Sequence, residues 1–412
     1  MRKTAIAIME LFVFGWMLSA QTGIAQTFTV LHSFTGGADG GFPTGSLVFD
    51  QAGNIYGTTL YGGGVEQGCY FGIGCGVVYK YSPSSDTLMP LYTFLDGDDG
   101  ELPNAGVIFG PDGALYGTAS GGGAHNFGTI FRVAPPAHGC TTLPCPWTET
   151  TLLSFNGSDG EQPLNKLAFD QGGNLYGTAF GGCTWGEAFE LPAPLGDLPL
   201  EMLHCFGQGS DGKLPSSGVV IDSSGNLYGV TQEGGTYDGG TAYELSPSGS
   251  GWIETILHNF GQPQDGSEPY VDLILDAAGN LYGGTDDAPN VFELSPSQGG
   301  WVLTTLFRFD QTPLHFTSEF RALARDNAGN LYGARRVGGP YGNGNVFKLS
   351  PSGGSWTYTN LHDFVAGDDG YFPSGLGVGP DGALYGTSSE GGDGAGCQGH
   401  GTYCGVLWQI TP

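Results

Sequence analysis

The sequence predicts an all-β fold, a seven-bladed β-propeller whose blades are four-stranded sheets. Three phrases support this prediction because each recurs seven times, in fixed order, at intervals of about 50 to 60 residues that are typical of propeller blades. The first phrase is a variant of Gly-Asn-Leu-Tyr-Gly, and its tyrosines are Tyr56, Tyr116, Tyr176, Tyr228, Tyr282, Tyr332 and Tyr385. The second ends in Phe34, Phe94, Phe155, Phe206, Phe260, Phe309 and Phe364, and the third, of the Val-Phe-Glu-Leu-Ser-Pro kind, occupies 77–83, 129–135, 187–192, 241–247, 291–296, 345–351 and 405–412.

Each repeat contains four strand-sized runs, as the second repeat illustrates at 107–109, 114–119, 129–134 and 148–155. Glycine, proline and aspartate separate these runs and are typical of turns. The first run of each repeat is apolar on both faces, as expected of an inner strand A that neighbouring blades cover on both sides. The glycine after each repeat tyrosine predicts close packing between blades.

The two ends of the chain predict how the ring closes. The N-terminal run at 28–34 has the pattern of an outer strand D, and the last run at 405–410 has that of a strand C. The seventh repeat therefore lacks its own strand D, and the N-terminal run can supply it. Such pairing removes the open edge of the ring. We expect a single propeller domain over 27–412.

Composition and charge exclude several classes of protein. Glycine accounts for 77 of 412 residues and charged residues for 13%, which argues against a helical bundle. The formal net charge of −28 predicts repulsion from nucleic acid and from anionic membranes, and we expect a monomer. Beyond the N-terminal segment, no stretch is long and apolar enough to insert into a membrane.

Residues 1–25 have the pattern of a signal peptide, with Arg2 and Lys3 before a mostly apolar run. Small residues allow cleavage after Ala20 or after Ala25. The alternative is an uncleaved anchor, but no stop-transfer pattern follows. We therefore expect an exported protein that is secreted, held at the cell surface or periplasmic.

The chain has eight cysteines, an even number that predicts disulfides in an exported protein. Three pairs are close in sequence, and the remaining two cysteines form a fourth pair. The alternative is a metal site, but no spacing of cysteine and histidine repeats as a zinc motif would. The predicted disulfides join Cys69 with Cys75, Cys140 with Cys145, Cys183 with Cys205, and Cys397 with Cys404.

A ligand site is expected on the face that carries the D–A and B–C loops, because these loops are long and variable while the A–B and C–D turns are short. Asp-Gly pairs recur in the D–A loops. Aspartate can bind calcium, but one aspartate per blade falls short of the roughly six to eight oxygens required, so turns are the favoured interpretation. These aspartates are Asp39, Asp99, Asp159, Asp211, Asp265 and Asp369.

Four histidines occupy one repeat position, which Tyr92, Leu153 and Phe307 fill in other blades. A position that accepts leucine and phenylalanine predicts packing rather than catalysis. Trp185 lies in a B–C loop beside Cys183, where it can either stack on a sugar ring or cover a disulfide. The four histidines are His32, His204, His258 and His362.

The sixth repeat departs from the others, because five of the seven arginines of the chain lie within 308–336. Arg325 replaces an apolar residue of strand A, and a buried arginine requires a partner or a ligand. Arginines can form an anion site for a carboxylate or an acidic sugar, but the favoured interpretation is the alternative that they pair with acidic neighbours. The candidate ligand-binding residues are Arg321, Arg325, Arg335, Arg336, Glu319, Asp272 and Trp185.

The repeated phrases also carry a family resemblance. Gly-Asn-Leu-Tyr-Gly-Thr, Gly-Gly, Val-Phe-x-Leu-Ser-Pro, Leu-His-x-Phe and Asp-Gly-x-x-Pro follow one another over about 27–412, and in this order they resemble the GloVer tandem repeat of exported bacterial β-propeller-like proteins. The resemblance implies a secreted or surface protein of the choice-of-anchor type. Such proteins often end in a sorting signal, which the last residues of this sequence do not resemble.

Two classes of function fit the sequence. The first is a non-catalytic binding or scaffold protein with a glycan or an extracellular protein as partner, and with no cofactor unless calcium binds. The second is a secreted carbohydrate-active or lactone hydrolase or lyase with its site at the central channel. No nucleophile elbow, phosphate loop or metal-binding helix motif is present, so no catalytic or metal-ligating residue is predicted. A hydrolase would require several carboxylates or histidines at the channel mouth. The even, motif-poor repeat and the disulfide-braced loops favour binding.

Overall fold

The structure is a computed structural model that describes residues 26–64, 69, 72–95, 97–136, 147–249, 251–309, 320–393 and 404–411. Within these ranges the chain forms β-strands joined by turns, and a short 3₁₀ turn lies at Gly367–Asp369. The strands form seven antiparallel sheets, one for each repeat. The predicted seven-bladed propeller is therefore confirmed.

Each blade runs from an inner strand A to an outer strand D. Blade 7 takes its strand D, β1 (Thr27–Ser33), from the N-terminus. Blade 1 contains β2 (Gly41–Phe49), β3 (Ile55–Tyr61), β4 (Val77–Ser82) and β5 (Thr87–Thr93), and blade 2 contains β6 (Val107–Phe109), β7 (Leu115–Ala119), β8 (Thr129–Ala134) and β9 (Thr148–Ser154). Blade 3 contains β10 (Ala168–Phe169), β11 (Leu175–Ala179), β12 (Glu187–Leu191) and β13 (Glu201–Cys205).

In blades 4 and 5, strand A is split into two segments that both pair with strand B. Blade 4 contains β14 (Gly212–Pro215), β15 (Val220–Ile221), β16 (Leu227–Gly234), β17 (Thr241–Ser248) and β18 (Gly251–Asn259). Blade 5 contains β19 (Ser267–Pro269), β20 (Ile274–Leu275), β21 (Leu281–Asp287), β22 (Asn290–Ser297) and β23 (Gly300–Arg308). Blade 6 contains β24 (Phe320–Arg325), β25 (Leu331–Arg335), β26 (Asn345–Ser352) and β27 (Ser355–Asp363), and blade 7 contains β28 (Tyr371–Val378), β29 (Leu384–Glu390) and β30 (Val406–Thr411).

The two ends of the chain share blade 7, as the sequence predicts. Strand β1 pairs with β30 from Thr27 opposite Thr411 to Ser33 opposite Val406. This pairing covers the outer edge of β30, so the ring closes without an exposed strand edge at the joint.

The space beside the repeat glycine is occupied by a side chain of its own blade. This corrects the expectation that the glycine makes room for close packing between blades. Gly57 lies opposite Tyr79 of strand C, and a Cβ on Gly57 would lie 2.5 Å from the Tyr79 hydroxyl oxygen. All seven repeat glycines face an aromatic residue of strand C in this way. The aromatic ring then packs on the preceding blade, as Phe131 does on Phe94 at a centroid distance of 5.0 Å.

The A–B turns are fixed by the aspartate that precedes the Gly-Asn-Leu-Tyr phrase. In blade 1, Asp50 accepts hydrogen bonds from the backbone N–H groups of Ala52 and Asn54, from the Asn54 side chain and from the Tyr56 hydroxyl. Equivalent bonds occur in the other blades, for example to Asp222. The phrase therefore encodes a hairpin turn together with the first residues of strand B.

Two of the four predicted disulfides are confirmed, Cys69 with Cys75 and Cys183 with Cys205. Cys404 is buried, and its predicted partner Cys397 lies outside the described residues, as do Cys140 and Cys145. The predicted signal peptide at 1–25 also lies outside them. Among the described residues, no helix has the length and apolar character needed to cross a membrane.

Candidate ligand-binding site

A cavity of about 250 Å³ opens where all seven blades meet, at the mouth of the central channel. Most of its lining comes from the residues that directly follow the proline of the Asp-Gly-x-x-Pro phrase, at the start of strand A. The cavity therefore lies on the face that carries the D–A and B–C loops. The lining residues that carry polar or charged side chains are Thr44, Ser46, Asn104, Asn165, Lys166, Ser216, Tyr270, Asp272, Arg321, Arg336, Ser374 and Ser389.

A recurring backbone kink aims these residues at the channel axis. The residue before the proline has a positive φ of 49° to 60° in six blades, although none of the six is glycine. Its N–H donates to a carbonyl of the preceding blade's B–C loop, as from Leu102 to Cys75 at 2.9 Å and from Leu214 to Trp185 at 2.8 Å. Such backbone is strained and persists only where the surrounding structure holds it. The six residues are Phe42, Leu102, Gln162, Leu214, Glu268 and Phe372.

Hydrogen bonds between blades make the mouth rigid. The Asn165 amide donates to the Pro215 carbonyl at 2.9 Å, and the Ser216 hydroxyl donates to the Pro269 carbonyl at 2.7 Å. The Ser374 hydroxyl reaches the Pro43 carbonyl of blade 1 in the same way, also at 2.7 Å. Each bond ties the start of one strand A to that of the next blade, so the polar lining is held in place before any ligand arrives.

The lining carries three cationic side chains and one carboxylate. The Arg321 guanidinium lies 4.9 Å from the ring centroid of Tyr270, and the Arg336 guanidinium lies 4.9 Å from that of Phe372. An aromatic ring contacts the face of a guanidinium, whereas the N–H donors that bind anions lie in its plane. Asp272 accepts a hydrogen bond from the Gly218 backbone N–H at 2.9 Å. Among the described lining residues, cationic side chains thus outnumber carboxylates by three to one on a strongly acidic protein.

The cavity brings together three of the seven predicted ligand-binding residues, Arg321, Arg336 and Asp272. Two other predicted arginines lie outside its lining. Arg325 lies 3.7 Å from an Asp276 carboxylate oxygen, which agrees with the alternative that these arginines pair with acidic neighbours. Arg335 lies 4.2 Å from the ring centroid of Phe309, and its burial lowers its pKa.

Trp185 also lies outside the cavity lining, and the ammonium of Lys213 lies 5.2 Å from its ring centroid. Glu319 is not among the described residues. Lys166 and Tyr270 also line the cavity, although neither was predicted from the sequence. Both follow a proline of the Asp-Gly-x-x-Pro phrase within three residues. Their position after this proline is the sequence feature that could have identified them as lining residues.

The four repeat histidines are held by the Asp-Gly aspartates, which the packing interpretation did not foresee. His258 Nε2 lies 2.8 Å from an Asp265 oxygen, and Tyr92 replaces histidine in an equivalent bond to Asp99. At Asp39, burial favours a raised pKa, but hydrogen bonds from His32 and Thr35 outweigh it and hold the pKa below its usual value. The Asp-Gly aspartates also accept backbone N–H bonds within their own loops, as expected of turns.

Solved structures of low sequence identity share the fold. A selenomethionine-substituted virginiamycin B lyase from Staphylococcus aureus is 13% identical, with 94% of this chain and 99% of that chain covered and a TM-score of 0.58. Putative 6-phosphogluconolactonases from Bacteroides uniformis and Bacteroides fragilis are 12% and 14% identical, with TM-scores of 0.52 and 0.53. They cover 82% and 84% of this chain, and 90% and 87% of their own chains. At such identities the likeness shows the propeller fold alone.

No curated protein sequence matches the chain. The Gloeobacter/Verrucomicrobia repeat matches residues 14–187, 144–315 and 184–404, which together extend over most of the sequence. The resemblance carried by the repeated phrases is thereby confirmed, and the chain belongs to the Gloeobacter/Verrucomicrobia repeat family.

Proposed function

We propose that this protein is an exported, non-catalytic binding protein that takes an anionic sugar, such as a uronic acid residue of a glycan, into the mouth of its central channel. The observation that carries the proposal is the convergence of Lys166, Arg321 and Arg336 with hydroxyl and amide side chains in one cavity. Such a combination suits a ligand that has one carboxylate and several hydroxyl groups.

Size and charge narrow the ligand further. The cavity of about 250 Å³ is smaller than the roughly 300–1,000 Å³ of sites for drug-sized molecules, so it suits a group about the size of one sugar residue. The net charge of −28 repels anions at long range. Binding therefore depends on short-range contacts with the three cations, and it should respond to the loss of any one of them.

The composition of the lining favours binding over hydrolysis. Among the described lining residues, Asp272 is the one carboxylate, and histidine is absent. Most glycoside hydrolases use two carboxylates on opposite sides of the scissile bond. The Gly218 N–H occupies one Asp272 oxygen at 2.9 Å. The alternative of a hydrolase or lyase at the channel is retained as an outcome of the experiment.

Calorimetry with matched oligosaccharides tests the proposal. Purified protein without residues 1–25 would be titrated with oligogalacturonate and with the corresponding neutral galactose oligomer, each with and without calcium. We expect binding of the charged ligand only, and at least about a tenfold loss of affinity in Arg321→Gln and Arg336→Gln, because a charged hydrogen bond is lost. Arg308→Gln is the control, since Arg308 donates to the Pro263 carbonyl and to Gln264 and lies outside the cavity lining.

Three results would contradict the proposal. Equal affinity for the neutral oligomer would show that the ligand need not be anionic. Unchanged affinity in both arginine variants would show that the channel mouth is not the binding site. Formation of shortened or unsaturated oligosaccharides during incubation would show catalysis and establish the alternative function.

A further inference from the structure

Neighbouring blades meet along their outer strands at a small niche that has three components. The first is the residue at the repeat histidine position of strand D, and the second is the aspartate of the following Asp-Gly pair. The third comes from strand D of the next blade, four residues before its own histidine position. Between blades 3 and 4, the niche is formed by His204, Asp211 and Glu254.

The third component is apolar or aromatic in most blades. Leucine or an aromatic residue packs there, as Leu303 does beside His258 and Asp265, and as Phe28 does on the His362 ring. Packing therefore does not require a carboxylate at this position. Among the described residues, the niche between blades 3 and 4 is the one that combines histidine with two carboxylates. In the order of the chain the third components are Phe28, Leu88, Glu149, Leu200, Glu254, Leu303 and Tyr358.

Two distances in this niche are close to those between the ligands of a tetrahedral metal ion. His204 Nε2 lies 3.3 Å from Asp211 Oδ2 and 3.6 Å from Glu254 Oε1, and all three ligand atoms lie within 4.8 Å of one another. Metal bonds of about 2.0–2.1 Å at tetrahedral angles place two ligand atoms about 3.3 Å apart. The other three repeat histidines lie closer to their aspartates, at 2.8 to 3.0 Å.

One carboxylate oxygen of the niche makes no hydrogen bond with the described residues, although the His204 ring lies within ion-pair distance at 3.6 Å. Glu254 Oε1 is inaccessible to solvent and makes no hydrogen bond within the described part of the chain. The side chains of Asp211 and Glu254 are 7% and 13% exposed, so two carboxylates face each other with little water between them. Bringing like charges together away from water is unfavourable unless one carboxylate takes up a proton or a cation lies between them.

We propose that His204, Asp211 and Glu254 bind a divalent transition-metal ion of the Zn²⁺ class and thereby clamp blade 3 to blade 4. One imidazole with two carboxylates suits Zn²⁺, and a water or other ligand from the open side of the niche completes the coordination. Calcium is a poor fit because it takes about six to eight oxygen ligands and disfavours imidazole. This site is separate from the channel mouth, so it stands independently of the proposed glycan binding.

Titration of the full mature protein with Zn²⁺ tests this site. Protein without a histidine tag, freed of metal with a chelator, would be titrated with ZnCl₂ by calorimetry and followed by thermal unfolding. We expect one high-affinity Zn²⁺ per chain and a rise in Tm. Glu254→Leu and His204→Tyr should weaken binding at least about tenfold and abolish the rise in Tm, because each removes a ligand. Both substitutions copy residues found at the equivalent positions of other blades, so the variants should fold.

His258→Tyr is the matched control, because His258 pairs with Asp265 but has Leu303 in place of a glutamate. Retained Zn²⁺ affinity in this variant supports the assignment. The proposal is overturned if the wild-type protein does not bind Zn²⁺ or if Glu254→Leu and His204→Tyr, when folded, bind it as tightly as the wild type. Stabilisation by CaCl₂ but not by ZnCl₂ would overturn the assignment of the ion.

Discussion

Replacing Glu187 by glutamine removes a titratable group from the interior of blade 3. Glu187 begins strand C, is 0% exposed and lies opposite Cys205 of strand D. Two glycines allow the backbone to approach its carboxyl group, since a Cβ on Gly160 or Gly182 would lie 2.9 or 2.2 Å from a Glu187 oxygen. The carboxyl group is therefore enclosed on the side of the D–A loop and on that of the B–C loop.

Burial, together with the nearby Asp159 carboxylate, raises the pKa of Glu187 from 4.5 to about 7, and the Cys183 backbone N–H opposes this rise only partly. Because the pKa is higher in the folded than in the unfolded state, the folded protein binds more protons between these two values. The resulting stabilisation is complete below about pH 4.5 and is lost as the pH rises to about 7. Each pKa unit corresponds to about 1.4 kcal/mol, so the total is on the order of 3 kcal/mol.

The assay is guanidinium unfolding of wild-type and Glu187→Gln protein at several values between pH 5 and pH 8. As the pH rises, the free energy of unfolding of the variant should increase relative to that of the wild type by up to about 3 kcal/mol, because glutamine cannot ionise. Glu201→Gln, an exposed position on strand D of the same blade, is the control and should show no such trend. A difference between Glu187→Gln and wild type that is constant across this range would refute the reasoning.

Three further predictions concern the fold. Deleting strand β1 exposes the edge of β30, so size-exclusion chromatography should show association or thermal unfolding should show a lower Tm; an unchanged monomer would contradict the closure. Asp222→Ala removes an acceptor of four hydrogen bonds and should lower the free energy of unfolding by roughly 2 kcal/mol. Asp197→Ala at an exposed position should have little effect. Gly45→Ala should lower Tm more than Gly113→Ala, although both glycines have positive φ. A Cβ on Gly45 would lie 2.3 Å from the Gly106 nitrogen, whereas a Cβ on Gly113 would meet no atom within 4 Å. Equal effects of the two substitutions on Tm would contradict this.

The fold could be predicted because its determinants recur in each repeat. One aspartate, one tyrosine and one glycine define the A–B hairpin and the pairing of strands B and C, as Asp50, Tyr56 and Gly57 do in blade 1. Seven copies make the pattern visible without any alignment. The closure of the ring was equally predictable. One end of the sequence has an unpaired strand D and the other end lacks a strand D, so the two ends can pair in one blade.

The candidate site was only partly predictable, because arginines that are close in sequence lie in different places in the structure. Arg335 and Arg336 are adjacent, but Arg335 ends strand β25 and packs on Phe309, whereas Arg336 begins the B–C loop and reaches the channel. Arg321 and Arg325 are four residues apart on one strand, a distance of about 13 Å at about 3.3 Å per residue. The cluster of arginines in the sequence is therefore divided between the channel mouth and three other locations.

The backbone kink that aims the lining residues at the channel could not be predicted from the type of residue at the kinked position. Phenylalanine, leucine, glutamine and glutamate all occupy the position with positive φ, although such backbone normally favours glycine or asparagine. What these residues share is a backbone N–H bonded to the preceding blade, for example from Glu268 to the Gly239 carbonyl at 2.9 Å. The hydrogen bond belongs to a pair of blades, so no single repeat can reveal it.

The niche of His204, Asp211 and Glu254 follows the same rule. Within its own repeat, Glu254 is an ordinary polar residue on an outer strand, four positions before His258. Its significance depends on which residue of the preceding blade faces it, and only the packing of β13 beside β18 brings His204 to 3.6 Å from Glu254 Oε1. In a propeller whose repeats are alike, chemistry that differs between blades therefore concentrates where two repeats meet. The channel mouth, where all seven meet, is the extreme case.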